Sequence, residues 1–142
     1  IAKEVKNVVA IKEASGNISA VAKLASLANG CIDIYSGNDD QVLPILSLGG
    51  KGVISVWSHV APKKVHDMVY AFLDGDIETA QKLQLEAIDV IGALFCEVNP
   101  IPVKGAMNML GYKVGTVRAP LTELTDAHKE VLKKALKDYG VL

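Results

Sequence analysis

Lys12 closes the apolar run Val8-Val9-Ala10-Ile11, and a lysine in that place has two readings. The run is short and rich in β-branched residues, so it reads as a strand. In β/α barrels the side chains at the carboxyl ends of strands face the active site. Apolar walls there favour the neutral amine over the ammonium, and the neutral amine is the form that attacks a carbonyl to give an imine. On the other reading Lys12 leaves the strand and snorkels into solvent, pairing with Glu13 or a neighbouring loop. The strand pattern alone leaves both open.

Two further segments carry residues of chemical interest. Ser36-Gly37-Asn38-Asp39-Asp40 follows a second apolar run. Its carboxylates suit the start of the following helix, which is the reading favoured for Asp39 and Asp40. Gly37 has a different use, because a residue without Cβ lets backbone approach a bound substrate closely. Gly49-Gly50-Lys51-Gly52 precedes a third run, whereas phosphate cradles follow a strand and open a helix, so a phosphate site is rejected. His59, His66 and His128 are too scattered for a metal site, and no metal is expected.

The elements that must place these residues alternate. Strands are expected over 8–11, 31–35 and 52–57. A helix capped by Asn17 carries Ile18, Val21, Leu24 and Leu27–Ala28 on one face and stops at Asn29-Gly30. A second, short helix covers 39–48 with Pro44 early in it. Strands that are mostly apolar and separated by helices are the pattern of parallel strands buried on both faces. Their spacing of roughly 20 residues is the scale of a β/α repeat. After Trp57 the pattern is helical. Pro62 opens a helix bearing Val65, Met68–Val69 and Phe72, and Asp76 caps a longer one running from Ile77 to Phe95. Asn99-Pro100-Ile101-Pro102 turns into a helix over 103–110. Thr125 or Asp126 caps the last helix, with Val131–Leu132 and Ala135–Leu136 inward and Gly140 as its stop.

Bulk properties narrow the class. Half of the 142 residues are hydrophobic and 22% are charged, so a packed core is expected and disorder is not. The net charge of -1 with scattered Lys and Arg gives no basis for binding nucleic acid or an anionic membrane surface. Cys31 and Cys96 both sit in apolar settings and read as two buried free thiols of a reducing compartment. With no spanning run and no signal peptide, the expected location is the cytoplasm. The opening Ile1-Ala2-Lys3-Glu4 reads as a helix already under way, which suggests a segment of a longer polypeptide.

Val-Val-Ala-Ile-Lys-Glu-Ala-Ser-Gly, Val8 to Gly16, resembles the Schiff-base lysine motif of the dihydrodipicolinate synthases. That family belongs to the superfamily of pyruvate-dependent aldolases and lyases. Ser36-Gly-Asn-Asp-Asp40 and Gly49-Gly-Lys-Gly-Val-Ile-Ser-Val56 are similar to its next two strand-end motifs, in order and at matching spacing. Asn99-Pro-Ile-Pro-Val-Lys104 and Gly111-Tyr112 resemble its C-terminal helical region. The likeness covers essentially the whole chain. Lys-Glu-Ala-Ser-Gly favours the synthase branch over the N-acetylneuraminate lyases, while Trp57 and His59 stand where other residues are more usual.

The resemblance implies an α/β fold: the last three β/α units of a (β/α)8 TIM barrel over 1–75, then a C-terminal helical domain over 76–142. It implies a lyase that joins pyruvate to aspartate semialdehyde in lysine and diaminopimelate biosynthesis, with no cofactor. Lys12 would carry the imine, Gly37 would lie beside the substrate, and Ile54 would offer backbone contact to pyruvate. The alternative is another pyruvate or 2-oxo acid class I aldolase. The family's tyrosine relay, its Thr-Thr carboxylate clamp and its semialdehyde-binding arginine belong to the missing N-terminal half. Tyr35, Tyr70, Tyr112 and Tyr139 do not match that relay. The isolated chain is therefore expected to be close to inactive and, with unpaired sheet edges, to self-associate. The parent is expected to be a homo-oligomer.

Overall fold

Asn17 starts the first helix as its sequence suggests. Its side chain accepts the Ala20 N–H at 3.1 Å, which satisfies one of the donors that a helix start leaves free. The same helix ends where Asn29 turns left-handed (φ 45°) and Gly30 follows at φ 77°. A computed structural model describes residues 1–142 throughout. Its order is β1 (Ala10–Glu13), α1 (Ile18–Ala28), β2 (Asp33–Ser36), a 3-10 turn (Asp39–Gln41) running into α2 (Val42–Ser47), and β3 (Gly52–Val53). A second 3-10 turn (Trp57–His59) leads into α3 (Pro62–Leu73), α4 (Ile77–Glu86), α5 (Ile88–Leu94), α6 (Ile101–Met109) and α7 (Asp126–Asp138).

The three strands form one parallel sheet in the order β1-β2-β3. Its register sets Lys12 opposite Tyr35 and Tyr35 opposite Gly52. The strands are displaced from their expected positions. β1 and β2 start two residues later, at Ala10 and Asp33, although the Val9 carbonyl still accepts the Asp33 N–H at 3.0 Å. β3 is only two residues long, and beyond it the side chain of Asp39 accepts the N–H groups of Val56 and Trp57. Trp57 enters a 3-10 turn instead of ending a strand.

Burial on both faces also fails within this chain. All of β1 except the half-buried Glu13 is exposed, since β1 is an edge strand. Lys12 therefore has no apolar walls around it here. Cys31 is exposed and Cys96 half-buried, not the buried pair expected, although both are free thiols. The helix capped by Asp76 is not continuous. It breaks at Ala87, whose N–H turns back to Gln84 at 3.2 Å before α5 resumes. The helical faces are narrower than expected, with Ile18, Leu27, Ile77, Ile88, Phe95 and Val131 all exposed.

One apolar cluster joins the β/α units to the later helices. It includes Val42 and Leu46 of α2, Met68 of α3, Leu94 of α5, Val103 of α6, and Leu132 and Leu136 of α7. Trp57 is fully buried within it, with the Tyr139 ring edge-on at 6.3 Å. The unusual tryptophan is thus a core residue. Val21, Ile34 and Ile45 make a separate small cluster between α1, β2 and α2.

α7 is fastened at its start by Glu97. Thr125 occupies the cap position but makes no side-chain cap bond. Its N–H and Oγ1 donate instead to Glu97 Oε1 at 3.1 and 2.7 Å, and His128 Nδ1 lies 2.7 Å from the same oxygen. The bond to His128, and then those to Thr125, hold the Glu97 carboxyl below its ordinary 4.5. A carboxylate of this kind adds stability above its ordinary value and loses it as pH falls through the lower folded value. The neutral variant Glu97→Gln is expected to melt earlier than wild type at neutral pH, with the difference closing in acid. A difference that is independent of pH in thermal melts would contradict this.

Candidate active site

The parallel register brings the three proposed site residues to one edge of the sheet. Lys12 is the third residue of β1, Gly37 follows the last residue of β2, and Ile54 follows the last residue of β3. The Gly37 N–H donates to the Glu13 carbonyl at 2.6 Å, which extends the β1–β2 ladder by one step. The Ile54 N–H donates to the Ser36 carbonyl at 2.8 Å and does the same for β2–β3. All three lie at carboxyl ends, where successive side chains and carbonyls of a parallel sheet open toward one space.

Gly37 is held against the lysine. A Cβ built on it would stand 2.8 Å from Lys12 Cε, 2.5 Å from Ala14 Cβ and 3.1 Å from the Glu13 carbonyl. The role expected of Gly37 is close approach to substrate, and the close approach that the geometry displays is to the lysine stem. Ile54 is exposed. Its N–H is committed to Ser36, so the group it offers to a ligand is its carbonyl oxygen, an acceptor.

The loop after β2 is more organised than its sequence suggests. Ser36 is buried, and its Oγ donates to the Asn38 carbonyl at 2.7 Å while accepting the Asn38 N–H at 3.2 Å. This is a serine turn, for which Ser-Gly-Asn-Asp is an available signal. Asp39 does not cap the helix after it. It is buried and reaches across to the loop after β3, where Oδ2 accepts the N–H groups of Val56 and Trp57, each at 2.9 Å. Gln41 ties the loop after β1 to the same structure, its Nε2 donating to the Gly16 carbonyl at 3.1 Å. Sequence reasoning missed these long-range ties, because nothing in a local pattern says which backbone a carboxylate will reach.

The remaining candidates stand apart. His59 lies 3.0 Å from the Val56 carbonyl, His66 stacks on Tyr70, and His128 is held by Glu97. Burial pushes the Tyr139 hydroxyl up to about 12, which makes it a poor proton carrier near neutral pH. No helix is long and apolar enough to cross a membrane.

Comparison with known proteins adds to this geometry. Residues 1–139 match the dihydrodipicolinate synthetase family. The chain is 61% identical over 135 residues to the 4-hydroxy-tetrahydrodipicolinate synthase of Caldicellulosiruptor bescii, which covers 95% of the chain and 45% of that protein. Among solved structures, the dihydrodipicolinate synthase of Thermotoga maritima superposes with a TM-score of 0.96 at 38% identity. That match covers 100% of this chain and 49% of the other. The chloride-inhibited dihydrodipicolinate synthase of Acinetobacter baumannii, complexed with pyruvate, superposes at 0.92 with 36% identity, covering 98% and 48%. The chain spans about half the length of the curated relatives it matches.

Proposed function

This chain belongs to the dihydrodipicolinate synthetase family, and on that premise we propose that it is the lysine-bearing half of a lyase that condenses pyruvate with aspartate semialdehyde. The observation that carries the reading is the meeting of Lys12, Gly37 and Ile54 at one carboxyl edge. In this reading the Lys12 Nζ lone pair attacks C2 of pyruvate to give a carbinolamine. Loss of water from it leaves the imine. Removal of a proton from the methyl carbon gives the enamine, whose carbon attacks the aldehyde carbon of the semialdehyde. The amino group of the condensed product then attacks the imine carbon, closing the ring and releasing Lys12. Gly37 leaves the lysine stem room to reach C2, and the Ile54 carbonyl accepts a hydrogen bond from the carbinolamine hydroxyl. The pathway served is lysine and diaminopimelate biosynthesis, and the reaction takes place in the cytoplasm.

The rest of the site belongs to a longer polypeptide. The exposed β1 edge and the open surroundings of Lys12 support a chain that acts only with further strands packed on it. Full-length protein is expected to consume pyruvate and aspartate semialdehyde one for one, and the isolated 142 residues to show almost no turnover. Cleavage of N-acetylneuraminate in place of condensation would move the protein to the sister branch, which the names of its relatives do not favour. Comparable specific activity from the isolated chain would end the half-site reading. The exposed sheet edge also supports self-association of the isolated chain. Light scattering showing a monodisperse monomer at tens of micromolar would contradict it.

A further inference from the structure

Asp39 and Gln84 are buried polar residues with no part in the imine chemistry above. Asp39 is 2% exposed and Gln84 4%. Asp39 lies two residues beyond Gly37, and its Oδ2 is the shared acceptor for the Val56 and Trp57 N–H groups. At the other end of the same two segments, the Ser36 carbonyl accepts the Ile54 N–H. Residues 36–39 and 54–57 are therefore bonded at both ends and form a closed frame, with Gly37 and Ile54 on its two sides. The backbone of Asp39 is anchored in turn, because Gln84 Nε2 of α4 donates to its carbonyl at 2.9 Å. A buried carboxylate is costly unless donors hold it, and two backbone donors on one oxygen with no salt bridge to Asp39 is a modest complement. Packing alone gives little reason to keep a carboxylate here, whereas an acceptor that spans two loops has one.

We propose that Asp39, anchored by Gln84, is a positioning residue that holds the Ile54 carbonyl and Gly37 at a fixed separation around Lys12 and so sets the rate of imine formation. This rests on the function proposed above. The Asp39 side chain bonds to backbone and not to Lys12, and it acts through the two backbone segments it joins.

The test uses full-length protein, pyruvate and borohydride, following the rate at which a reduced adduct forms on Lys12, the KM for pyruvate and the thermal midpoint. Asp39→Ala opens the frame at one end. At temperatures well below its midpoint it is expected to slow adduct formation by on the order of tenfold to a hundredfold, the scale of an ångström of misplacement. Asp39→Asn keeps an oxygen able to accept both N–H groups and is expected to recover most of the rate. Gln84→Met keeps the side-chain bulk, loses the anchor and should slow the step less than Asp39→Ala does. A lowered midpoint with adduct rate and KM unchanged would make Asp39 a purely structural residue and overturn the inference. If Asp39→Ala does not fold, Gln84→Met decides: a slowed adduct upholds the inference and an unchanged one overturns it. Wild-type protein that forms no adduct at all overturns the functional reading itself, a different outcome from wild-type labelling with unaffected variants.

Discussion

On the mechanism proposed above, full-length protein carrying Lys12→Ala is expected to form no borohydride-reducible adduct with pyruvate and to lose condensation activity by a thousandfold or more, since loss of the proposed nucleophile removes the whole route that depends on it. Lys12→Arg should fail equally, because a guanidinium stays protonated and cannot give the imine. Lys12 takes part in no salt bridge within this chain, so neither change breaks an ion pair in this half, and thermal melts beside the assay separate folding from chemistry. Peptide mapping of the wild-type adduct settles the assignment. A label on Lys3, Lys6, Lys51 or Lys104 would sink it, whatever the activity of the variants. Lys104 already donates to the Thr116 carbonyl, and the site geometry gives it no part.

What local sequence reveals, and where it stops, is visible in particular residues. Asn17, Asp76 and Pro62 mark helix starts correctly because a cap or a first-turn proline acts within three residues of its own position. The order of the strands is legible from their apolar runs, and the order places Lys12, Gly37 and Ile54 on one edge. The length of β3 is not legible. The chain leaves the ladder after Ile54, and Asp39, 17 residues before Val56, takes the N–H groups of Val56 and Trp57 on its carboxylate. The exposure of Lys12 escapes for a related reason. An apolar run tells that a strand can be buried, but burial depends on what packs against it, and β1 has a neighbour on one side only. Cys31 shows the same limit, an apolar neighbourhood in sequence that lies at the surface in space.

Gly37→Ala is expected to have the second-largest effect on activity, and the reason is space, not backbone conformation. The added Cβ would meet Ala14 Cβ at 2.5 Å and Lys12 Cε at 2.8 Å. The lysine stem can swing away, but Ala14 has no side-chain torsion to yield, and the Glu13 carbonyl at 3.1 Å is already bonded to the Gly37 N–H. Either the two strand ends separate or Lys12 moves off its position. Overpacking of this kind costs about 1–3 kcal/mol of stability, and an ångström of lysine displacement is worth on the order of a hundredfold in rate. Gly49 provides the contrast. It stands at φ 90° with nothing within 4 Å of a built Cβ, so Gly49→Ala strains the backbone and leaves the site alone. Both variants should melt earlier than wild type, by amounts of the same order. Only Gly37→Ala should lose kcat/KM and adduct formation at temperatures where both proteins are folded. If the two variants retain equal activity there, the contact between Gly37 and Lys12 has no part in catalysis, and the close approach at the end of β2 serves packing alone.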